Sequence, residues 1–276
     1  MKIVSALNLG REMLSRSDSA ESDARRLLAH VLQAEISYLL AHGQELVPSK
    51  PLETYFSLLA RAERHEPLPY IVGSAAFRYL DLHVTPATLI PRPETEELVS
   101  RVIKWAKGRS QLSLVDVGTG CGCIAISLAT ELGDATVAAV DISADALDIA
   151  RQNAQKHNAT VAFYQGSLLE PLSQTVDAIV ANLPYVTEAE MGELPTSVAQ
   201  FEPSIALHGG QDGLDLIRTL LQQAGTCLKP NGMIFLEIGY QQGKVATTLA
   251  QDIFPIARVR CERDYAGRDR FVLIHL

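Results

Sequence analysis

Cysteine is scarce in this chain: 276 residues hold only four, at positions 121, 123, 227 and 261. So few thiols in so long a sequence do not make a disulfide framework, and they give no support to an exported location. Long apolar runs are also missing. The longest, such as residues 233–238, are strand-sized, well short of the ~18–20 residues that span a bilayer. The opening Met1-Lys2-Ile3-Val4 lacks the long apolar core of a signal peptide. A cytoplasmic protein without a membrane partner is therefore expected. Basic side chains are fewer than acidic ones, 24 against 32, for a net charge of −8. That balance argues against a broad basic face that coats nucleic acid. What remains is 47% hydrophobic and 20% charged, a composition that allows a sizeable core and excludes disorder, collagen and coiled coil.

The length suits one large domain or two unequal ones. Residues 1–68 read as a small helical bundle. Apolar residues recur at helical spacing at Ala24, Leu27, Leu28, Val31 and Leu32, behind a Ser/Asp cluster suited to an N-cap. Leu52, Tyr55, Leu58, Leu59 and Ala62 repeat the pattern. Residues 17–19 and 43–51 read as loops. Residues 69–87 read as a linking hairpin, with strands at 70–72 and 80–84 around Gly73. Residues 88–276 form the third part. Apolar β runs at 112–117, 135–140, 161–164, 178–181 and 233–238 alternate there with helical patterns at 124–132, 144–157 and 214–228. Such alternation predicts an α/β fold, a mostly parallel sheet covered on both faces. Residues 258–262 and 271–276 leave no room for a crossover helix, so the last strands pair antiparallel at one edge.

The first β run ends in Asp116-Val117-Gly118-Thr119-Gly120-Cys121-Gly122-Cys123. Glycines at 118, 120 and 122 let the backbone turn sharply and approach a ligand closely. The helix that follows points free N–H groups at the same place. Asp141 closes the next strand about 20 residues on, where an acid accepts hydrogen bonds from ribose hydroxyls. A nucleoside-bearing cofactor is predicted. The dinucleotide pattern G-x-G-x-x-G would need glycine at position 123, which is Cys123. The observed G-x-G-x-G resembles instead the first motif of class I S-adenosylmethionine-dependent methyltransferases, whose sheet also ends in an antiparallel strand. A dinucleotide enzyme and a plain tight turn are the alternatives. The cysteines lack the paired C-x-x-C spacing of a zinc site, so no metal is expected. Cys121 lines the cofactor pocket only through its backbone in this reading.

The fourth strand runs into Asn182-Leu183-Pro184-Tyr185, at the sheet end where open α/β folds bind ligands. This tetrapeptide resembles the [N/D]-P-P-Y motif of enzymes that methylate planar nitrogens. An amide or aryl amine nitrogen is a poor nucleophile because its lone pair is delocalised. Two acceptors aimed at its N–H groups hold it and gain strength as positive charge develops on nitrogen. The Asn182 side-chain oxygen and the carbonyl of Leu183 are those acceptors. Pro184 stiffens the turn, and Tyr185 packs on the planar group. Leu183 departs from the motif, but its backbone carbonyl survives the change. The N-L-P-Y form also resembles ribosomal RNA adenine dimethyltransferases.

The wider sequence resembles the bacterial release factor glutamine N5-methyltransferases over nearly its whole length. The matching residues are Glu66–Gly73 and Phe77, Leu89–Glu96, the 116–122 loop, Asp141, Asn182–Tyr185, Phe201-Glu202-Pro203, Ala206-Leu207, Gly209-Gly210, Asp212-Gly213-Leu214, and Leu236-Glu237-Ile238-Gly239 with Gln242. The resemblance implies a helical N-terminal recognition domain, a hairpin linker and a seven-stranded Rossmann-like methyltransferase domain. It implies methyl transfer to the glutamine of the Gly-Gly-Gln loop of class I release factors, with S-adenosylhomocysteine as product. It assigns Gly118, Thr119, Gly120, Cys121, Gly122, Asp141, Ser167, Leu168 and Asn182 to the cofactor. Ser167 stands where an acid is common. Asn182, Leu183, Pro184, Tyr185 and Arg92 fall to the substrate. A monomer is expected. Methylation of a ribosomal protein, N6-adenine or N4-cytosine methylation of nucleic acid, and non-catalytic cofactor binding are the competing readings. Net charge weighs against nucleic acid, and the intact Asn182-x-Pro184-Tyr185 weighs against the non-catalytic reading.

Overall fold

A computed structural model describes residues 1–15, 17 and 19–276 and divides them into two units. The first unit comprises Met1–Gly73 and Pro195–Phe201. Its helices are α1 (Ile3–Met13), α2 (Ala20–Leu32), α3 (Ile36–Ala41), α4 (Ser49–Glu63) and α5 (Leu68–Val72). Ala24, Leu27 and Leu28 form the buried stripe of α2, and Tyr55 and Leu59 that of α4. Leu27, Leu28, Tyr55 and Leu59 meet Ile3, Ala6 and Leu39 in one core, as the helical spacing requires. The Tyr55 hydroxyl donates to the Ala24 carbonyl at 3.2 Å, which satisfies its one polar atom inside that core. The loop expected at 17–19 includes Asp18, which lies outside the described residues. Ser19 is the N-cap of α2, and its side chain makes no capping bond.

Residues 70–72 are helical and not the predicted strand. Pro69 enters the first turn of α5 with its φ already fixed, and Gly73 ends the helix at a φ of 76°. Three apolar residues in front of a glycine carry no periodicity of their own. The flanking prolines and glycine decide the outcome.

The second unit comprises Ser74–Leu194 and Glu202–Leu276. A hairpin of β1 (Ser74–Phe77) and β2 (Leu80–His83) comes first, followed by α6 (Pro93–Ala106). Then come β3 (Ser113–Val117), α7 (Cys123–Glu131), β4 (Thr136–Asp141), α8 (Ala144–Lys156), β5 (Val161–Gln165) and β6 (Val176–Ala181). After β6 the chain forms α9 (Glu188–Met191) and α10 (Thr196–Phe201), the latter grouped with the first unit. It ends with α11 (Asp215–Cys227), β7 (Leu228–Glu237), α12 (Gly243–Ile253), β8 (Arg258–Arg263) and β9 (Asp269–His275). The seven-stranded sheet runs β5-β4-β3-β6-β7-β9-β8. Its first five strands pair in parallel, and β9 pairs antiparallel to both β7 and β8. This is the mostly parallel sheet with an antiparallel terminal strand that the sequence predicts. The central strands are nearly continuous apolar runs: Ala178, Ile179, Val180 and Ala181 are all fully buried. Helices on both faces demand that.

Residues 187–201 hold α9 and α10. Thr187 and Glu190 form a capping box: the Thr187 side chain accepts from the Glu190 N–H, and Glu190 accepts from the Thr187 N–H. Among the described residues no helix is long and apolar enough to cross a membrane. Strand order reverses between β3 and β6, so the loops leaving β3, β4 and β6 converge at one end of the sheet.

Candidate active site

A cavity of about 200 Å³ occupies that end of the sheet, walled by the loops after β3, β4, β5 and β6 and by Ala87, Thr88, Leu89, Pro91 and Arg92. The loop after β3 turns through Gly118 and Gly120, at φ 75° and 55°, values that disfavour a side chain. A Cβ on Gly120 would meet nothing within 4 Å, so its bare backbone faces open space. Asp116, fully buried, organises the loop from below. Its Oδ2 accepts from the Thr119 hydroxyl at 2.6 Å and from the Ala125 N–H at 3.1 Å, while Oδ1 is buried without a partner. Burial pushes the Asp116 carboxyl up to about 7, although both of those hydrogen bonds pull it down.

Asp141 ties two loops together. One carboxylate oxygen accepts from the Gly120 N–H at 2.8 Å, the other from the Ser143 N–H at 2.9 Å. Each oxygen keeps a lone pair for a further donor. Burial raises the Asp141 pKa, with the backbone hydrogen bonds opposing it. Ser167, Leu168, Thr119 and Cys121 also line the cavity. Gly122 does not: a Cβ there would run into Ile126 and Ala150, so this glycine serves the close approach of α7 to α8.

The turn after β6 closes the far wall. Asn182, Leu183 and Pro184 line the cavity, and Tyr185 stands outside its lining. Leu183 is buried in the core of the sheet domain. A Cβ on Gly118 would sit 3.0 Å from its Cδ2, so the two loops interlock. Glycines hold the turn from behind. A Cβ on Gly209 would stand 2.6 Å from the Pro184 carbonyl, and one on Gly213, at φ 75°, would overlap the Tyr185 carbonyl. Gln242 completes the brace. Its Nε2 donates to the Tyr185 carbonyl at 2.9 Å and its Oε1 accepts from the Gly239 N–H at 2.8 Å. The Gly209, Gly213, Gly239 and Gln242 signatures are thus scaffold for the Asn182–Tyr185 turn. Burial raises the Tyr185 phenol to about 12.

Arg92 lies at the edge of the cavity, 2.6 Å from the buried Glu202 carboxylate. Glu202 also accepts from the Ile90 N–H at 3.3 Å. That grip fixes the Pro91-Arg92-Pro93 wall. Thr95 and Glu237 escaped the sequence reading as site residues. Asn182 Nδ2 donates to Thr95 Oγ1 at 3.0 Å, and Thr95 Oγ1 donates to Glu237 Oε2 at 2.8 Å. Glu237 is 1% exposed. An acid closing an apolar strand was the signal available for it.

Burial also pushes the Glu237 carboxyl up to about 7, against the pull of Thr95 and Arg270. The ordinary values of Asp116 and Glu237 are 3.8 and 4.5. Between those values and about 7 the folded protein keeps two protons that the unfolded chain has released, so raising pH favours unfolding. The carboxyls whose pKa is lowered, Asp81, Asp177, Asp212 and Asp264, act below 3.8, outside that window. The melting temperature of the unliganded protein should therefore fall as pH rises from about 5 to 7.5. Calorimetry showing a rise over that range would contradict the buried carboxyls.

Family models match two stretches: the PrmC N-terminal domain over residues 5–73 and the methyltransferase small domain over residues 95–199. The release factor glutamine methyltransferase of Enterococcus faecalis is 40% identical over 235 residues, 85% of this chain and 84% of that protein. The enzyme of the same description from Bacillus cereus is 33% identical over 282 residues, 100% of both chains. Among solved structures, a methyltransferase from Pyrococcus furiosus aligns with a TM-score of 0.53 at 16% identity, over 83% of this chain and 98% of that one. That last likeness is one of fold.

Proposed function

Because the chain belongs to the release factor glutamine methyltransferase family, we propose that it transfers a methyl group from S-adenosylmethionine to the side-chain nitrogen of the glutamine in the Gly-Gly-Gln loop of class I release factors. The observation that carries this reading is the Asn182–Pro184 turn in the same cavity wall system as the glycine loop and Asp141. The cradle fits the cofactor. Asp141 offers a lone pair on each oxygen to the ribose hydroxyls, and Gly118 and Gly120 leave the backbone bare where the amino-acid end would lie. Ser167 and Leu168 border the base. When bound, the cofactor supplies a methyl group on a sulfonium, a good leaving group.

The residues of the chain do the rest. Asn182 Oδ1 and the Leu183 carbonyl accept the two N–H bonds of the glutamine amide. They orient its nitrogen and stabilise the positive charge that grows on it during transfer. Pro184 and the Gln242 brace keep both acceptors fixed, so alignment is in place before substrate arrives. Tyr185 supports the turn from outside the cavity lining, and Arg92 borders the entry. The products would be N5-methylglutamine, S-adenosylhomocysteine and one N–H proton released to solvent. The helical unit serves to recognise the release factor. The enzyme works as a cytoplasmic monomer on protein and not on nucleic acid, which the net charge of −8 supports.

Labelled cofactor offered separately with purified release factor, ribosomal proteins, RNA and DNA tests this. Label is expected on the release factor glutamine alone. Label on RNA with none on the release factor would refute the reading.

A further inference from the structure

We propose that Thr95 and Glu237 are positioning residues which set the orientation of the Asn182 amide, so that Oδ1 and not Nδ2 meets the substrate nitrogen. The inference rests on the glutamine-methylation reading, in which Asn182 must act as an acceptor.

The geometry is a directed chain of hydrogen bonds. A hydroxyl carries one proton. Thr95 spends its proton on Glu237 Oε2 at 2.8 Å, so toward Asn182 it is an acceptor only, and Nδ2 turns to it at 3.0 Å. The carboxylate end is fixed in place, since Glu237 closes β7 and is 1% exposed. Thr95 is 2% exposed, in the first turn of α6. With Glu237 ionised, no other direction of the chain is available. With Glu237 protonated on Oε2, the reversed chain becomes available: the acid donates to Thr95, Thr95 donates to Asn182 Oδ1, and the amide presents N–H groups to an amide that also presents N–H groups.

The charge of Glu237 therefore gates the orientation. The groups that face it are Arg270 on β9, Glu94 on α6, Arg92 before α6, and the Tyr185 phenol. Arg270 and Arg92 favour the carboxylate, Glu94 opposes it, and burial opposes it most. The carboxyl titrates at about 7, so turnover should rise with pH through neutrality.

Thr95→Val removes the hydroxyl at nearly constant shape. It should lower kcat about tenfold, the scale of one buried hydrogen bond lost with its partner left behind, and leave the cofactor dissociation constant within about twofold. Thr95→Ser should restore kcat. Glu237→Gln should abolish the ascending limb of the kcat–pH profile. A second readout needs no substrate. In the unliganded protein the Asn182 side-chain N–H resonances, identified by their loss in Asn182→Ala, should shift with the titration of Glu237. They should stop shifting in Glu237→Gln and in Thr95→Val. Wild-type kcat in Thr95→Val, an unchanged limb in Glu237→Gln, or Asn182 resonances indifferent to pH would each overturn the proposal. If the resonances titrate while the wild-type enzyme leaves release factor unlabelled, the substrate reading fails and the orienting chain stands.

Discussion

Replacing Asn182 with alanine should reduce turnover by roughly 10²–10³ while cofactor affinity stays within a few-fold, the scale of losing one preorganised polar group that acts on developing charge. The two effects separate because the side chain is tied on one side only. Its Nδ2 is held by Thr95 at 3.0 Å, so with Glu237 ionised its Oδ1 is poised before substrate arrives. The Asp141 and Gly120 contacts lie on the neighbouring loops and survive the change. The Leu183 carbonyl also remains, so one of two acceptors persists and the loss is not total. Single-turnover rates at saturating cofactor, with the dissociation constant from calorimetry, measure both quantities. Near wild-type turnover would refute the acceptor role.

Asp141→Ala should act on the other term, weakening cofactor binding by about 10²-fold, since hydrogen bonds to a charged group are worth ~1.5–3 kcal/mol each. Three losses coincide. The proposed ribose acceptor goes, the Gly120 N–H loses its 2.8 Å partner, and the Ser143 N–H loses its 2.9 Å partner. The last two matter because Gly120 has no side chain of its own to hold that part of the loop in shape. Once cofactor is saturating, turnover should approach that of the wild type, as Asn182 and Leu183 are untouched. Equilibrium binding of labelled cofactor checks this, and an unchanged dissociation constant would remove Asp141 from the ribose contact.

Both ends of the site were legible in the sequence for the same reason. A glycine turn behind a strand and an Asn-x-Pro-Tyr at a strand end are short patterns whose chemistry is local. Thr95 and Glu237 were not, because nothing in either neighbourhood announces the other. Helix α6 was hidden by Pro91 and Pro93 and by the acids Glu94, Glu96 and Glu97, which mask the buried stripe of Leu98, Val99 and Val102. Gly122 looked like a third cradle glycine by spacing alone, and only the packing of Ala150 against it shows where it faces. The capping box at Thr187 and Glu190 is written in the sequence as a Thr-x-x-Glu. The short helix at 68–72 turned on prolines that read equally well as linker.

The hydrogen bonds of the two halves of the site differ in how far along the chain they reach. The glycine loop is bound by partners 3, 9 and 21 residues apart. Asn182 is bound to Thr95, 87 residues away, and Thr95 in turn to Glu237, 142 residues from it. Contacts between near neighbours in sequence close small loops and form early, while distant ones wait until the intervening chain is in place. The hydrogen bonds of the glycine loop can therefore form within β3, β4 and α7, whereas the chain from Asn182 through Thr95 to Glu237 exists only after β7 has joined the sheet. Holding the Asn182 amide through Thr95 and Glu237 thus depends on β7 being seated in the sheet.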